Sequence, residues 1–276
     1  MSRLPARIGF WAAAAQSVVS LIYIIGLVIL ITLALSQYSA ADLATQQWTD
    51  INTYARHYSE DPVSLTVGLI VQVSAFLAGI LILIVFLVLH ELTDPAWKIM
   101  TRIASAFAMM MAVMSSWGYY VQLASVHQVI IVGGDLEGLG QFAEANVSSP
   151  GMATLQLAWA FFYGLATLFV IPVLGKTRSE RWIKVAFLVN GAIGVTVGIA
   201  YAFGMTELLP LAILGLVAAS IAYPLLALRF FQASKVGLSA RYLTLDVRSR
   251  LPRRLTHRCS ARDSLGATAH SKIRQA

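Results

Sequence analysis

Eight side chains have the types and positions to do chemistry: Gln72, Tyr119, Tyr120, Gln122, His127, Gln156, Trp159 and Tyr163. They are amides, phenols, an indole and an imidazole, and each falls toward one end of a long apolar run. Amides and phenols between aromatic walls suit a neutral or weakly charged small molecule or a lipid headgroup, because they offer donors and acceptors without the cost of burying a charge. The same residue types also build interfacial aromatic belts and hydrogen bonds between helices, which is the structural alternative. Geometry separates the two: a binding site requires that these groups enclose a cavity.

Catalysis has less to stand on. An ionisable group deep in a membrane span is a functional hypothesis by default, because burying it is costly. No apolar run carries one in its middle, and His127, the nearest, lies at the far end of its run. His90-Glu91 begins like a zinc-binding HExxH helix, but the second His would have to stand where Asp94 does. Arg56, His57, Glu60 and Asp61 read as surface charge. The glycine-rich stretch Gly133-Gly134-Asp135-Leu136-Glu137-Gly138-Leu139-Gly140 has no lysine and the wrong charge for a phosphate loop. The one cysteine, Cys259, excludes an intrachain disulfide and a thiolate metal cluster. The expectation is therefore no catalytic residue, no metal and no cofactor, in a protein that is not an enzyme.

The elements that must position the eight residues are membrane helices. The chain is 58% hydrophobic and 12% charged, about half the charge of an ordinary soluble domain. Its apolar residues fall in six windows, each holding the ~20 residues needed to cross a hydrocarbon core of ~30 Å. The expected architecture is all-α: a six-helix membrane domain over residues 1–229, with spans near 11–36, 64–89, 103–126, 152–174, 185–205 and 208–229. The first run is too long for a signal-peptide core, so cleavage is not expected.

The net charge of +7 suggests nucleic acid until the charges are placed. Of 20 Lys and Arg, 19 fall before the first span, in alternate loops or after the last, and only Arg56 is left for the other loops. The positive-inside rule then puts both termini in the cytoplasm and an acidic surface outside. Residues 230–276, with Arg241, Arg248, Arg250, Arg253, Arg254 and Arg258, read as a basic disordered tail resting on anionic lipid; nucleic acid is not an expected partner.

Within the third span, Ala104, Ala108, Ala112 and Ser116 are four apart, and continuing that period groups Ser116, Tyr120, Leu123 and His127 on one face. In the fifth, Asn190, Gly194, Gly198 and Ala202 form a close-packing face for another helix. Residues 42–54 read either as a solvated connector or, from the spacing of Leu43, Gln47, Asp50, Ile51 and Tyr54, as a short amphipathic helix on the outer leaflet.

The third span ending in Tyr119-Tyr120-Val121-Gln122, then Asp135-Leu136-Glu137-Gly138-Leu139 and a Gly/Leu-rich fourth span, resembles a group of prokaryotic six-span integral membrane proteins of uncharacterised activity. The resemblance covers residues 100–230 and stops at about Leu238. It implies a prokaryotic plasma membrane and no particular chemistry. Two functions fit the residues: a non-enzymatic binding or transport component with an outward-facing polar and aromatic pocket, as in the six-span capture subunits of vitamin transporters, or a structural or assembly protein without a ligand.

Overall fold

The computed structural model of the protein describes residues 3–37, 61–132, 138–142, 149–175 and 177–250, with backbone alone at 3, 34–37, 140 and 236–250. Six helices are long and apolar enough to cross a membrane. They are α1 (Arg3–Gln37), α2 (Pro62–Leu92), α3, α4, α5 (Arg178–Ala202) and α6 (Leu209–Arg250). Helix α3 runs Lys98–Val121, passes through a π-helical turn at Gln122–Val126 and resumes at His127–Val132. Helix α4 runs Pro150–Gln156, passes through a π-helical turn at Leu157–Phe162, resumes at Tyr163–Val170 and closes in a 3₁₀ turn at Ile171–Val173. The protein is an all-α, multi-pass membrane protein. The expected helix over 42–54, the cluster from Arg56 to Glu60, the acidic glycines 133–137 and everything after Arg250 lie outside the described residues.

Local chemistry marks the helix starts. Asp61 caps α2 by accepting from the Val63 N–H at 3.0 Å, with Pro62 in the first turn where its missing donor costs nothing. Ser149 and Pro150 repeat the arrangement at α4. Thr177 and Glu180 form a reciprocal capping box at α5. At the turn between α2 and α3, the His90 Nδ1 lies 2.9 Å from the Thr101 hydroxyl.

The last helix departs from expectation. Residues 230–250 are helical, so the irregular tail does not begin at Phe230. The reason is local: no proline occurs between Pro224 and Pro252, Phe230 is buried, and the Lys235 ammonium sits 4.3 Å over the Phe231 ring one turn earlier.

Each helix packs against its neighbours in sequence, and α1 closes the ring on α6. Both ends of the ring's chain lie at one end of the bundle, where the Phe10 and Phe231 rings are 5.5 Å apart. That half is packed solid. Ala13, Phe86, Ala108, Val170, Phe187 and Leu226, one from each helix, belong to a single buried cluster there. Between α4 and α5 the backbones touch: a Cβ at Gly194 would fall 2.6 Å from the Ala160 carbonyl oxygen, so only glycine fits. The distal half, toward the ends of α1 and α5 and the starts of α4 and α6, is hollow.

Candidate functional site

A chamber of about 430 Å³ occupies the distal half between α1, α3, α4, α5 and α6. Ile31 of α1, Met152 of α4 and Leu209 of α6 line it near those helix ends, so it reaches the distal end of the bundle. Below it a narrow cavity of about 40 Å³ extends toward the core, between α1, α2, α4 and α6. Tyr23, Trp159 and Leu216 line both, so the small cavity is a neck beneath the chamber.

The eight expected residues divide between three environments. Tyr119, Gln156 and Trp159 line the chamber, and Trp159 and Tyr163 line the neck. Gln72, Gln122 and His127 are buried in packing and line neither cavity. The His127 Nε2–H donates to the Gln72 Oε1 at 2.9 Å, tying α3 to α2. The Gln122 amide donates to the Phe142 carbonyl, and the Phe142 ring meets Trp117 edge-on at 6.4 Å, which pins the turn between α3 and α4. These three follow the structural alternative.

Tyr120 corrects the expected face. Its side chain is 62% exposed on the outside of the bundle, whereas Ser115, Tyr119 and Gln122 are buried. Four residues turn an α-helix about 400°, so a stripe of strict four-residue spacing drifts by about 40° per step. From Ala104 to Tyr120 that accumulates to about 160°, which places Tyr120 on the side opposite the core. His127 returns inward because the π-helical turn inserts an extra residue and rotates the helix beyond it.

Several lining residues were not expected as a site. Gln16, Ser20 and Tyr23 of α1 carry polar groups into the neck at spacings of four and three. The Gln16 amide N–H donates to Ser20 at 3.0 Å. From α6 come Ser220 and Tyr223, and the Tyr223 and Tyr163 hydroxyls meet at 2.5 Å across the neck. Asn190, on the chamber wall, donates to the Thr167 hydroxyl at 3.2 Å. Depth was a usable signal for the tyrosine pair: Tyr163 and Tyr223 lie 13 and 14 residues from the starts of α4 and α6.

The chemistry of both cavities is neutral. Among the described residues, no Asp, Glu, Lys, Arg or His lines either one, so these offer no counterion. Two buried polar atoms of lining residues have no hydrogen-bond partner among the described residues: the Gln16 Oε1, an acceptor, and the Trp159 Nε1–H, a donor. Nothing here is arranged to activate water or a nucleophile. The arrangement is that of an apolar container with a few neutral polar contacts at its floor. Compared with protein-family models, with curated proteins and with solved structures, the chain matches none.

Proposed function

We propose that this membrane protein is a non-enzymatic binding or transport component that takes a small, uncharged, largely apolar molecule into the distal chamber. The observation that carries the reading is the chamber itself: about 430 Å³, within the range of small-molecule pockets, with Tyr119, Gln156, Trp159 and Asn190 on its walls. A packed bundle leaves few voids larger than a water molecule, so a hollow distal half above a solid one calls for an occupant. The distribution of Lys and Arg supports a cytoplasmic position for both termini, and hence a chamber facing outward. The resemblance over residues 100–230 supports a prokaryotic plasma membrane.

Native mass spectrometry of the protein extracted gently from its own membrane tests this, beside an Ala212→Trp variant that fills the chamber wall. The expected result is a defined adduct on the unaltered protein that the variant loses while keeping its thermal stability. Identical adducts on both would contradict it. The second reading, a structural or assembly protein, is favoured by Gln72, Gln122 and His127, whose polar groups serve packing. It gains if no adduct is found.

A further inference from the structure

The neck limits what the ligand's leading group can be. A single water needs ~10–15 Å³ of such space, so about 40 Å³ admits a few heavy atoms and no ring. The bulk of a ligand must stay in the chamber above.

The neck also sets a hydrogen-bonding pattern. Gln16 is 2% exposed; its N–H groups face Ser20, and its Oε1 is an acceptor with no partner among the described residues. The Trp159 Nε1–H is a buried donor in the same condition. Tyr163 and Tyr223 carry two hydroxyl protons but make one bond to each other, which leaves a second donor. The Ser20 hydroxyl, which accepts from Gln16, keeps its own proton as a further donor, so the neck sets an unmet acceptor beside several donors.

Resting on the binding reading above, we infer that the ligand is a neutral amphiphilic alcohol that enters hydroxyl first, with its oxygen in the neck and its apolar body in the chamber. A hydroxyl has one proton to give and two lone pairs to receive, so it can donate to the Gln16 oxygen and accept from the donors of the neck at once. An ether or ketone would accept from Trp159 and the tyrosine pair but leave the Gln16 oxygen unmet. An ammonium would be desolvated with no carboxylate among the described residues lining either cavity. A carboxylate would be desolvated with no cation among the described residues lining either cavity.

Three photoreactive probes sharing a dodecyl chain with a mid-chain diazirine test this: the primary alcohol, its methyl ether and the corresponding carboxylate. Each is titrated against the full-length protein in phosphatidylcholine vesicles, and the cross-linked peptides are mapped by mass spectrometry. The alcohol should label α4 and α6 at the chamber with half-saturation about tenfold lower than the ether, a gap typical of one or two hydrogen bonds, and the carboxylate should be weaker than both. Gln16→Leu should bring the alcohol toward the ether while leaving the ether unchanged, whereas Trp159→Phe, which removes a donor that both can use, should weaken both. Equal labelling of the chamber by alcohol and ether in the unaltered protein would overturn hydroxyl recognition and leave the binding reading standing. Failure of all three probes to reach α4 and α6 would overturn both.

Discussion

Glu180 holds three groups at the termini end of α5. Its carboxylate accepts from the Thr177 hydroxyl at 2.7 Å and the Thr177 N–H at 3.3 Å, and pairs with Arg229 of α6 at 3.0 Å. Hydrogen bonds to a charged, buried group are worth more than neutral ones, so Glu180→Gln should cost about 2 kcal/mol and lower the melting temperature in detergent. Thr177→Ala, which removes the cap and the hydroxyl bond to Glu180 but leaves the pair with Arg229, should cost about 1 kcal/mol. No change in either variant would mean the pair is incidental. The bond between Gln72 and His127 is a second test: a double-mutant cycle should return a coupling of about 1 kcal/mol, and a coupling near zero would count against it. The polar and aromatic residue types toward one end of the second, third and fourth spans were legible in the sequence. Which of them face a cavity was not, because Tyr119 and Tyr120 are adjacent and identical, and about 100° of helical rotation separates a chamber wall from lipid.

The helices themselves follow from length and hydropathy, and their starts from Asp61, Ser149 and Thr177 with the residues beside them. The π-helical turns in α3 and α4 do not follow, since an apolar run reads alike with or without one extra residue in a turn. Both turns matter to the site: one swings His127 inward, and the other contains Trp159. The seam between α4 and α5 holds the chamber wall in place, and glycine substitutions probe it. Gly194→Ala would drive a methyl against the Ala160 carbonyl and should destabilise the protein by about 1–3 kcal/mol. Gly215→Ala would meet nothing nearer than 3.5 Å and should be neutral or slightly stabilising, since alanine is the better helix former. Equal losses at the two sites would contradict the close approach of α4 to α5.

At the scale of the whole molecule, a ring of six helices is solid at the end where α1 begins and holds a chamber toward the other. The six spans were legible from charge-free windows, but the division into solid and hollow halves was not. It depends on side-chain size where helices face one another: Ala104 and Ala108 close the gap in one half, and in the other Ala75, Tyr119 and Leu155 pack together beside the chamber. Because the Phe10 and Phe231 rings meet, tags at either end of the chain should be accessible from the same side of sealed vesicles; opposite accessibility would contradict the ring. The central claim is that the distal chamber is a water-accessible site rather than packed interior. It is tested most directly by the reactivity of Leu216→Cys, a residue lining both cavities, against Val217→Cys, its neighbour on the outer surface, each with Cys259→Ser. A water-soluble thiol reagent applied to intact membranes should modify Leu216→Cys and spare Val217→Cys, and dodecanol should slow the reaction. Equal inertness at both positions would contradict the chamber.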